Sequence, residues 1–380
     1  STHGLHLRTF SLPCQHMSVK KINPQDFRQS LLAWFDKNGR DLPWRYKGGA
    51  HPNPYHVWLS EIMLQQTTVQ AVKDYFLSFI KIWPTVSYLA NARQEEVTAA
   101  WAGLGYYSRA RNLHKCALEI SENYGGAFPV NETALLRLPG IGPYTASAIR
   151  SIAFNKPANV VDGNVERIMA RIFALKVPFP KGKEEAKVKA AHFIGDFEGR
   201  HSDYVQALMD LGAMICTPKS PKCALCPISR YCAAYKHGLA EDLPKREPKK
   251  ATPQKYGTAY IFINNQNELL LERRPEKGLL ASMIGFPSTQ WNEKKEREGL
   301  LSSVTKELEI KELPEVRHVF THFKLQLKPI LVRCEREHAE DLLSEGIKGS
   351  YFWQNIEDID ADHLPTLFAK ILKLVRAELL

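Results

Sequence analysis

The residues of this sequence whose types and spacing could do chemistry are two carboxylates, a cysteine quartet and a glycine corner. Glu61 stands in Tyr55-His56-Val57-Trp58-Leu59-Ser60-Glu61-Ile62-Met63-Leu64-Gln65-Gln66-Thr67. On a helix, Trp58, Glu61, Ile62, Gln65 and Val69 share one face, so Glu61 sits on or beside a buried stripe. Burial of an acid there raises its pKa, which is what a general acid requires. The plainer alternative is a surface glutamate at the edge of the stripe. The second carboxylate, Asp162, leaves the apolar run Ala158-Asn159-Val160-Val161 directly before a helical stretch. Taken alone it is as well explained by an ordinary helix cap.

Cys216, Cys223, Cys226 and Cys232 form a C-x6-C-x2-C-x5-C array, compact enough for one loop to wrap a metal centre. Zinc knuckles usually pair two short C-x2-4-C units, and only one is present, so the spacing favours a [4Fe-4S] cluster with zinc as the alternative. Lys219 and Lys222 lie inside this ligand set, where a fixed basic loop suits phosphate. Upstream, Leu138-Pro139-Gly140-Ile141-Gly142-Pro143-Tyr144 separates the helical segments 132–137 and 145–154. Gly140 and Gly142 allow a tight corner with positive backbone angles, whose amides at the next helix can hold a phosphate without reading sequence. A purely structural corner is the alternative.

These residues need positioning, and the elements can be read around them. From Pro24 to Cys232 the apolar residues recur at helical spacing, which predicts an all-helical unit. The charged, proline-containing run Glu241 to Lys250 predicts a linker. Beyond it, strands are expected at 256–263, 268–273, 316–320 and 325–334 and helices at 294–308 and 365–379, an α+β domain. The expected organisation is an N-terminal extension 1–22, a helical catalytic domain 23–240 with the cysteine loop 216–232, a linker 241–255 and a second domain 256–380.

At 380 residues with 44% hydrophobic and 24% charged residues, the chain is neither disordered nor fibrous. No apolar run approaches the roughly 18 residues of a membrane span. The net charge of +10 favours a polyanionic partner. Seven cysteines, with Cys14, Cys116 and Cys334 isolated, do not form a disulfide framework and suit a reducing compartment. Residues 1–22 lack acidic residues and the apolar core of a secretory signal; an unstructured tail is expected, with a weak organelle-targeting segment or a start at Met17 as alternatives.

The corner, the following aspartate and the quartet, in this order, resemble the helix-hairpin-helix (HhH-GPD) DNA glycosylases of the endonuclease III superfamily, and within it the MutY family of adenine DNA glycosylases. The resemblance is carried by Leu42-Pro43-Trp44-Arg45, Ser60 to Thr67, Gly103-Leu104-Gly105-Tyr106-Tyr107-Ser108-Arg109, the corner, Val161 to Asn164, Leu211 to Cys216 and the quartet. It implies that Glu61 protonates adenine, that Asp162 stabilises the cationic sugar, that Asn164 orients Asp162 and that Tyr144 lies against the reacting centre. Gln66 and Tyr106 would enter the duplex, with Leu64 and Thr67 beside them, while Arg45 and Gln206 would line the pocket of the flipped adenine. Tyr144 stands where relatives with strand-cleaving activity carry the lysine that forms a Schiff base, so the resemblance implies a monofunctional enzyme.

The second domain resembles the Nudix-like domain that such enzymes use to recognise 8-oxoguanine, through Arg273-Arg274-Pro275 to Ala281, Gly285-Phe286-Pro287 and Phe320-Thr321-His322. Gly278, Phe320, Thr321 and His322 are thereby implied as lesion contacts, although Thr321 replaces the usual serine. Ser-Met-Ile-Gly-Phe-Pro also stands where the family usually has Gly-Leu-Trp-Glu-Phe-Pro. Trp291 to Thr305 lacks the spacing of a metal-binding Nudix box, which argues against nucleotide hydrolysis. The implied partner is duplex DNA carrying adenine opposite 8-oxoguanine or guanine, bound by a monomer away from membranes. The implied cofactors are a [4Fe-4S] cluster and a monovalent cation at the corner, with no nucleotide cofactor. The expected setting is intracellular: a bacterial cytoplasm, or the nucleus or mitochondrion of a eukaryote. The rivals are an endonuclease III-like glycosylase and lyase acting on oxidised pyrimidines and a non-catalytic lesion-binding protein.

Overall fold

The structure, a computed structural model, describes residues 22–46, 52–195, 199–248, 251–275, 278–294, 308–346 and 349–379. Apart from Ile22, the N-terminal extension falls outside them, as does nearly all of the helix expected at 294–308. The chain divides into two compact units after Pro248.

The first unit is built from α1 (Pro24–Asn38), α2 (Pro54–Leu64), α3 (Val69–Ile82), α4 (Val86–Asn91), α5 (Gln94–Ala100), α6 (Ser108–Asn123), α7 (Glu132–Arg137), α8 (Pro143–Ala148), α9 (Gly163–Ile172), α10 (Lys183–Ala191), α11 (His201–Met214) and α12 (Ala233–Lys236). Local chemistry sets the start of α2: the Asn53 side chain accepts from the Tyr55 amide, and Pro54 occupies the first turn, where no amide donor is needed. Its residues Tyr55, Val57, Trp58, Leu59, Ile62 and Met63 are buried, so the helix that carries Glu61 runs through the core. Gln65 is extended and Gln66 has a φ of 59°, which ends the helix.

The corner departs from expectation in one respect. Gly140 takes a φ of 76°, whereas Gly142 is extended (φ −93°, ψ 180°) and serves as the cap of α8. Pro143 fixes the first turn of α8, so the left-handed step is needed only once. The helix expected over 145–154 is α8 followed by a π-helical turn, Ile149–Ala153.

The run expected as a linker, 241–255, is bound to the first unit over its first half. Leu243 is buried beside Ala234 and Ala240, its carbonyl accepts from Arg171 Nε at 2.9 Å, and Lys245 and Glu247 pair with the backbone of Phe179 at 2.7 and 2.9 Å. Charge and proline content thus marked a surface strap, and only the residues between Pro248 and Gln254 connect the units.

The second unit holds β1 (Gln254–Ile263), β2 (Glu268–Arg273), β3 (Ile284–Gly285), β4 (Glu309–Glu312), β5 (Val316–Val319), β6 (Lys324–Arg333), α13 (Arg336–Gly346), β7 (Ser350–Asn355) and α14 (Thr366–Leu379). The sheet order is β3-β2-β1-β6-β4, with β5 on β6 and β7 on β2. β1 and β6 pair in parallel from Gln254 with Lys324 to Ile263 with Arg333. Alternate residues of β1 serve two cores. Ala259, Ile261 and Ile263 pack with Leu367, Phe368, Ile371 and Leu372 of α14, while Tyr260 and Phe262 pack with Ala339, Leu342 and Leu343 of α13. Helices on both faces explain why this strand reads as a continuous apolar run. Among the described residues, no helix is long and apolar enough to cross a membrane.

Candidate active site

An open cleft in the helical unit is lined by Arg40, Trp44, Arg45, Glu61, Leu64 and Gln206, among others. α2 contributes Glu61 and Leu64 and α11 contributes Gln206, so Glu61 and Gln206 stand on helices of the core, whereas Arg40 and Arg45 come from the loop between α1 and α2. Burial pushes the Glu61 carboxyl up to about 7; the nearby Asp162 charge pushes the same way, and a hydrogen bond from Tyr144 and the Arg45 charge oppose it. The Tyr144 hydroxyl is itself raised well above its ordinary value by burial and by the two carboxylates, so it remains a neutral donor to Glu61. The structure thus brings Glu61, Tyr144 and Asp162 into one electrostatic group.

Asp162 does act as the cap of α9, and its setting goes beyond a cap. One oxygen accepts from the Val165 amide at 2.8 Å and the other from Asn164 Nδ2 at 3.0 Å. Arg167 in turn donates to Asn164 Oδ1 (2.8 Å), Gly212 O (2.8 Å) and Cys216 O (2.8 Å), tying the aspartate to α11 and to the start of the cysteine loop. Gly212 permits the approach: a Cβ there would lie 2.5 Å from Asn164 Cβ.

Arg45 is found in the cleft, but its fork is already engaged. Nη1 and Nη2 bind the two oxygens of Asp210, each at 2.7 Å, and Arg40 adds its amide at 2.8 Å and Nε at 2.7 Å. Asp210 is fully buried, which alone would raise its pKa; the two arginines hold it below the usual carboxylate range. Gln206 Nε2 donates to the carbonyl and hydroxyl of Ser202, both at 3.1 Å. Arg40 and Asp210 escaped sequence reasoning because their partnership joins distant segments.

Gln66 and Tyr106, on separate loops, are exposed and both left-handed (φ 59° and 52°). Thr67 adjoins Gln66, its hydroxyl donating to Gln65 O at 3.2 Å. Gly140 and Gly142 form the corner before α8, which carries Tyr144.

Cys216, Cys223, Cys226 and Cys232 lie along one loop with free thiols. As they stand, no three His, Cys, Asp or Glu side chains among the described residues converge into an ion site. The setting nevertheless fits a thiolate-bound cluster. Burial raises the Cys223, Cys226 and Cys232 thiols above their ordinary value and the neighbouring sulfurs push the same way, while Cys226 and Cys232 accept backbone N–H donors. Arg171, 1% exposed, donates to Cys216 Sγ at 3.3 Å, Thr217 O at 2.7 Å and Pro218 O at 3.2 Å. Buried arginine against sulfur and carbonyls suits a group that brings negative charge. Lys219 and Lys222 are exposed on the same loop.

The remaining expected residues belong to the second unit. Thr321 and His322 are exposed at the turn after β5, while Phe320 stacks on Trp291 with ring centres 5.8 Å apart. Gly278 has a φ of 99° in a loop with open space around it.

Residues 59–191 match the HhH-GPD superfamily of base excision DNA repair proteins, residues 216–232 the iron-sulfur binding domain of endonuclease III, and residues 258–374 the NUDIX domain. Fold and site together therefore define a base-excision-repair glycosylase of the helix-hairpin-helix class, with a [4Fe-4S] cluster domain at residues 216–232, whose four cysteines would hold the cluster, and a Nudix-like second unit. A solved structure of a thermostable thymine-DNA glycosylase is similar at a TM-score of 0.50 and 28% identity, covering 58% of this chain and 100% of that one. The adenine DNA glycosylase of Buchnera aphidicola (subsp. Acyrthosiphon pisum) is 34% identical over 91% of this chain and 97% of its own length, and that of Homo sapiens 33% identical over 93% and 74%. The chain belongs to the adenine DNA glycosylase family.

Proposed function

We propose that this protein binds duplex DNA, flips out an adenine mispaired with 8-oxoguanine or guanine, and hydrolyses its N-glycosidic bond without cleaving the strand. The observation that carries this reading is the pairing of a carboxyl raised to about 7, Glu61, with a hydrogen-bonded carboxylate, Asp162, beside one cleft. Adenine is a poor leaving group until a ring nitrogen is protonated. Neutral Glu61 gives that proton as the C1′–N9 bond breaks, and the electron pair leaves with the base. The sugar becomes an oxocarbenium-like cation, which the Asp162 carboxylate stabilises. Water adds to C1′ and its surplus proton restores Glu61, leaving an abasic site.

General acid catalysis supplies about 10²- to 10⁴-fold and one well-placed charge about 10²- to 10³-fold. Both are needed to approach even the lower end, about 10⁶-fold, of typical enzymatic acceleration. Asn164 and Arg167 orient Asp162, and Asp210 fixes Arg40 and Arg45 at the cleft wall. Tyr144 has no amine to form a Schiff base, which supports hydrolysis over lyase chemistry. Gln66, Thr67 and Tyr106 fill the space a flipped base leaves. Gly140, Gly142, Lys219 and Lys222 contact phosphates, and Gly278 with Phe320, Thr321 and His322 contacts the lesion. The free thiols and a DNA partner suit a reducing, DNA-containing compartment.

The test is single-turnover incubation with duplexes carrying adenine opposite 8-oxoguanine, each sample split and analysed with and without hot alkali. Breakage only after alkali is expected. Breakage without alkali on oxidised-pyrimidine duplexes, with the adenine duplex intact, would favour the glycosylase-lyase alternative.

A further inference from the structure

The two loops assigned to enter the duplex come from distant parts of the chain, yet they share one anchor. Arg109, in the first turn of α6, donates through Nη1 to Ile62 O at 2.7 Å and Met63 O at 3.2 Å, at the end of the helix that leads to Gln66. Through Nη2 it donates to Leu104 O at 3.2 Å and Gly105 O at 3.3 Å, immediately before Tyr106, with Thr67 Oγ1 at 3.5 Å. Its guanidinium lies 5.1 Å from the centre of the Trp101 ring and 5.7 Å from that of Tyr106. Trp101 Nε1 also donates to Gly105 O at 3.1 Å, so the Tyr106 loop is held from two sides.

Left-handed backbone at Gln66 and Tyr106 persists only where the surroundings impose it. A guanidinium carries its donors in one rigid plane, so carbonyls bound to its two ends are held at a set separation and angle. Lysine, with one rotatable charge centre, can serve either loop but cannot fix both.

We propose that Arg109 is a positioning residue that makes Gln66 and Tyr106 a single wedge, entering the base stack together as the adenine leaves it. This rests on the duplex glycosylase reading above. Arg109 is not among the residues lining the cleft, so its effect falls on base extrusion and not on bond cleavage.

The experiment is a mutant cycle on the full-length, iron-loaded protein. Single-turnover adenine excision opposite 8-oxoguanine is measured beside the fluorescence of 2-aminopurine placed at the adenine position, which rises on unstacking. Loss of charge-assisted hydrogen bonds at Arg109→Leu is expected to slow excision by about 10- to 100-fold and to abolish the fluorescence rise in parallel. Arg109→Lys should fall between. Tyr106→Ala and Gln66→Ala should each slow the parent enzyme, but should slow the Arg109→Leu enzyme by no more than about twofold further, because coupled residues are not additive.

Full additivity, or slower excision with an unchanged fluorescence rise, overturns the proposal. If Arg109→Leu fails to retain iron, the same cycle run on Arg109→Lys decides by the same criteria. A parent enzyme that leaves adenine in place refutes the glycosylase reading itself. A parent that excises adenine while both Arg109 variants keep pace with it refutes only the shared wedge.

Discussion

Replacement of Glu61 by glutamine should make the protein more stable above neutral pH while removing its activity. Burial and the Asp162 charge move this carboxyl from its ordinary 4.5 to about 7, so the folded state holds a proton that the unfolded state has released. Between those two values the native state binds more protons than the unfolded chain, and stability falls as pH rises. Below 4.5 both states are protonated and the group costs nothing; above about 7 the full penalty of a buried carboxylate is present. At about 1.36 kcal/mol per pH unit, the penalty is on the order of 3 kcal/mol. Glutamine keeps the shape and never ionises. The gap between Glu61→Gln and the parent should therefore be near zero at pH 4 and open to about 3 kcal/mol in favour of the variant at pH 8. For a unit of this size that corresponds to a rise in Tm of roughly 6–12 °C. Urea denaturation followed by tryptophan fluorescence at a series of pH values measures it, and common pH effects cancel in the difference. A gap that stays constant with pH, or that favours the parent at pH 8, would refute the assignment of Glu61 as a buried, proton-holding acid.

Other changes have separate readouts. Gly212→Ala places a methyl group 2.5 Å from Asn164 Cβ, so it should cost about 1–3 kcal/mol in urea denaturation and lower the single-turnover rate by displacing Asn164 from Asp162. Arg171→Met leaves Cys216, Thr217 and Pro218 without their buried donor, and iron analysis should show reduced cluster occupancy in the purified protein. Lys219→Ala and Lys222→Ala should each flatten the salt dependence of DNA binding by about 1 in the log–log slope while leaving the rate of adenine loss at saturating enzyme unchanged.

The most local parts of the site were the most legible in the sequence. Glu61 announces its environment through the helical spacing of Trp58 and Ile62, and the cysteine loop through its own spacing, whereas the face expected to run on through Gln65 to Val69 is cut off because α2 ends at Leu64 and Val69 begins α3. The corner at Gly140 was legible for the same reason, although Gly142 proved extended because Pro143 already shapes the helix start. Relations that join distant segments left no local trace. Asp210 reads as one polar residue in an apolar helix, and only the fold reveals the two arginines it holds. Arg109 lies in a recognisable string, yet nothing in its neighbourhood shows that it reaches the end of α2. In the second unit, β1 shows itself by aromatic and β-branched residues, β5 and β6 by Val and Ile, and β2 by the leucine run Leu269 to Leu271 after a turn-rich segment. β4, Glu309–Glu312, has no buried residue and therefore no pattern, and its place is given by pairing with β6.

The most direct test of the paired-carboxylate mechanism is the single-turnover rate of adenine loss, from duplexes with 8-oxoguanine opposite, measured against pH. With neutral Glu61 as the proton donor, the rate should hold steady below about 7 and fall roughly tenfold per pH unit above it. A rate that climbs through the same range would mean that the ionised form does the work, and Glu61 would not be the acid that releases the base.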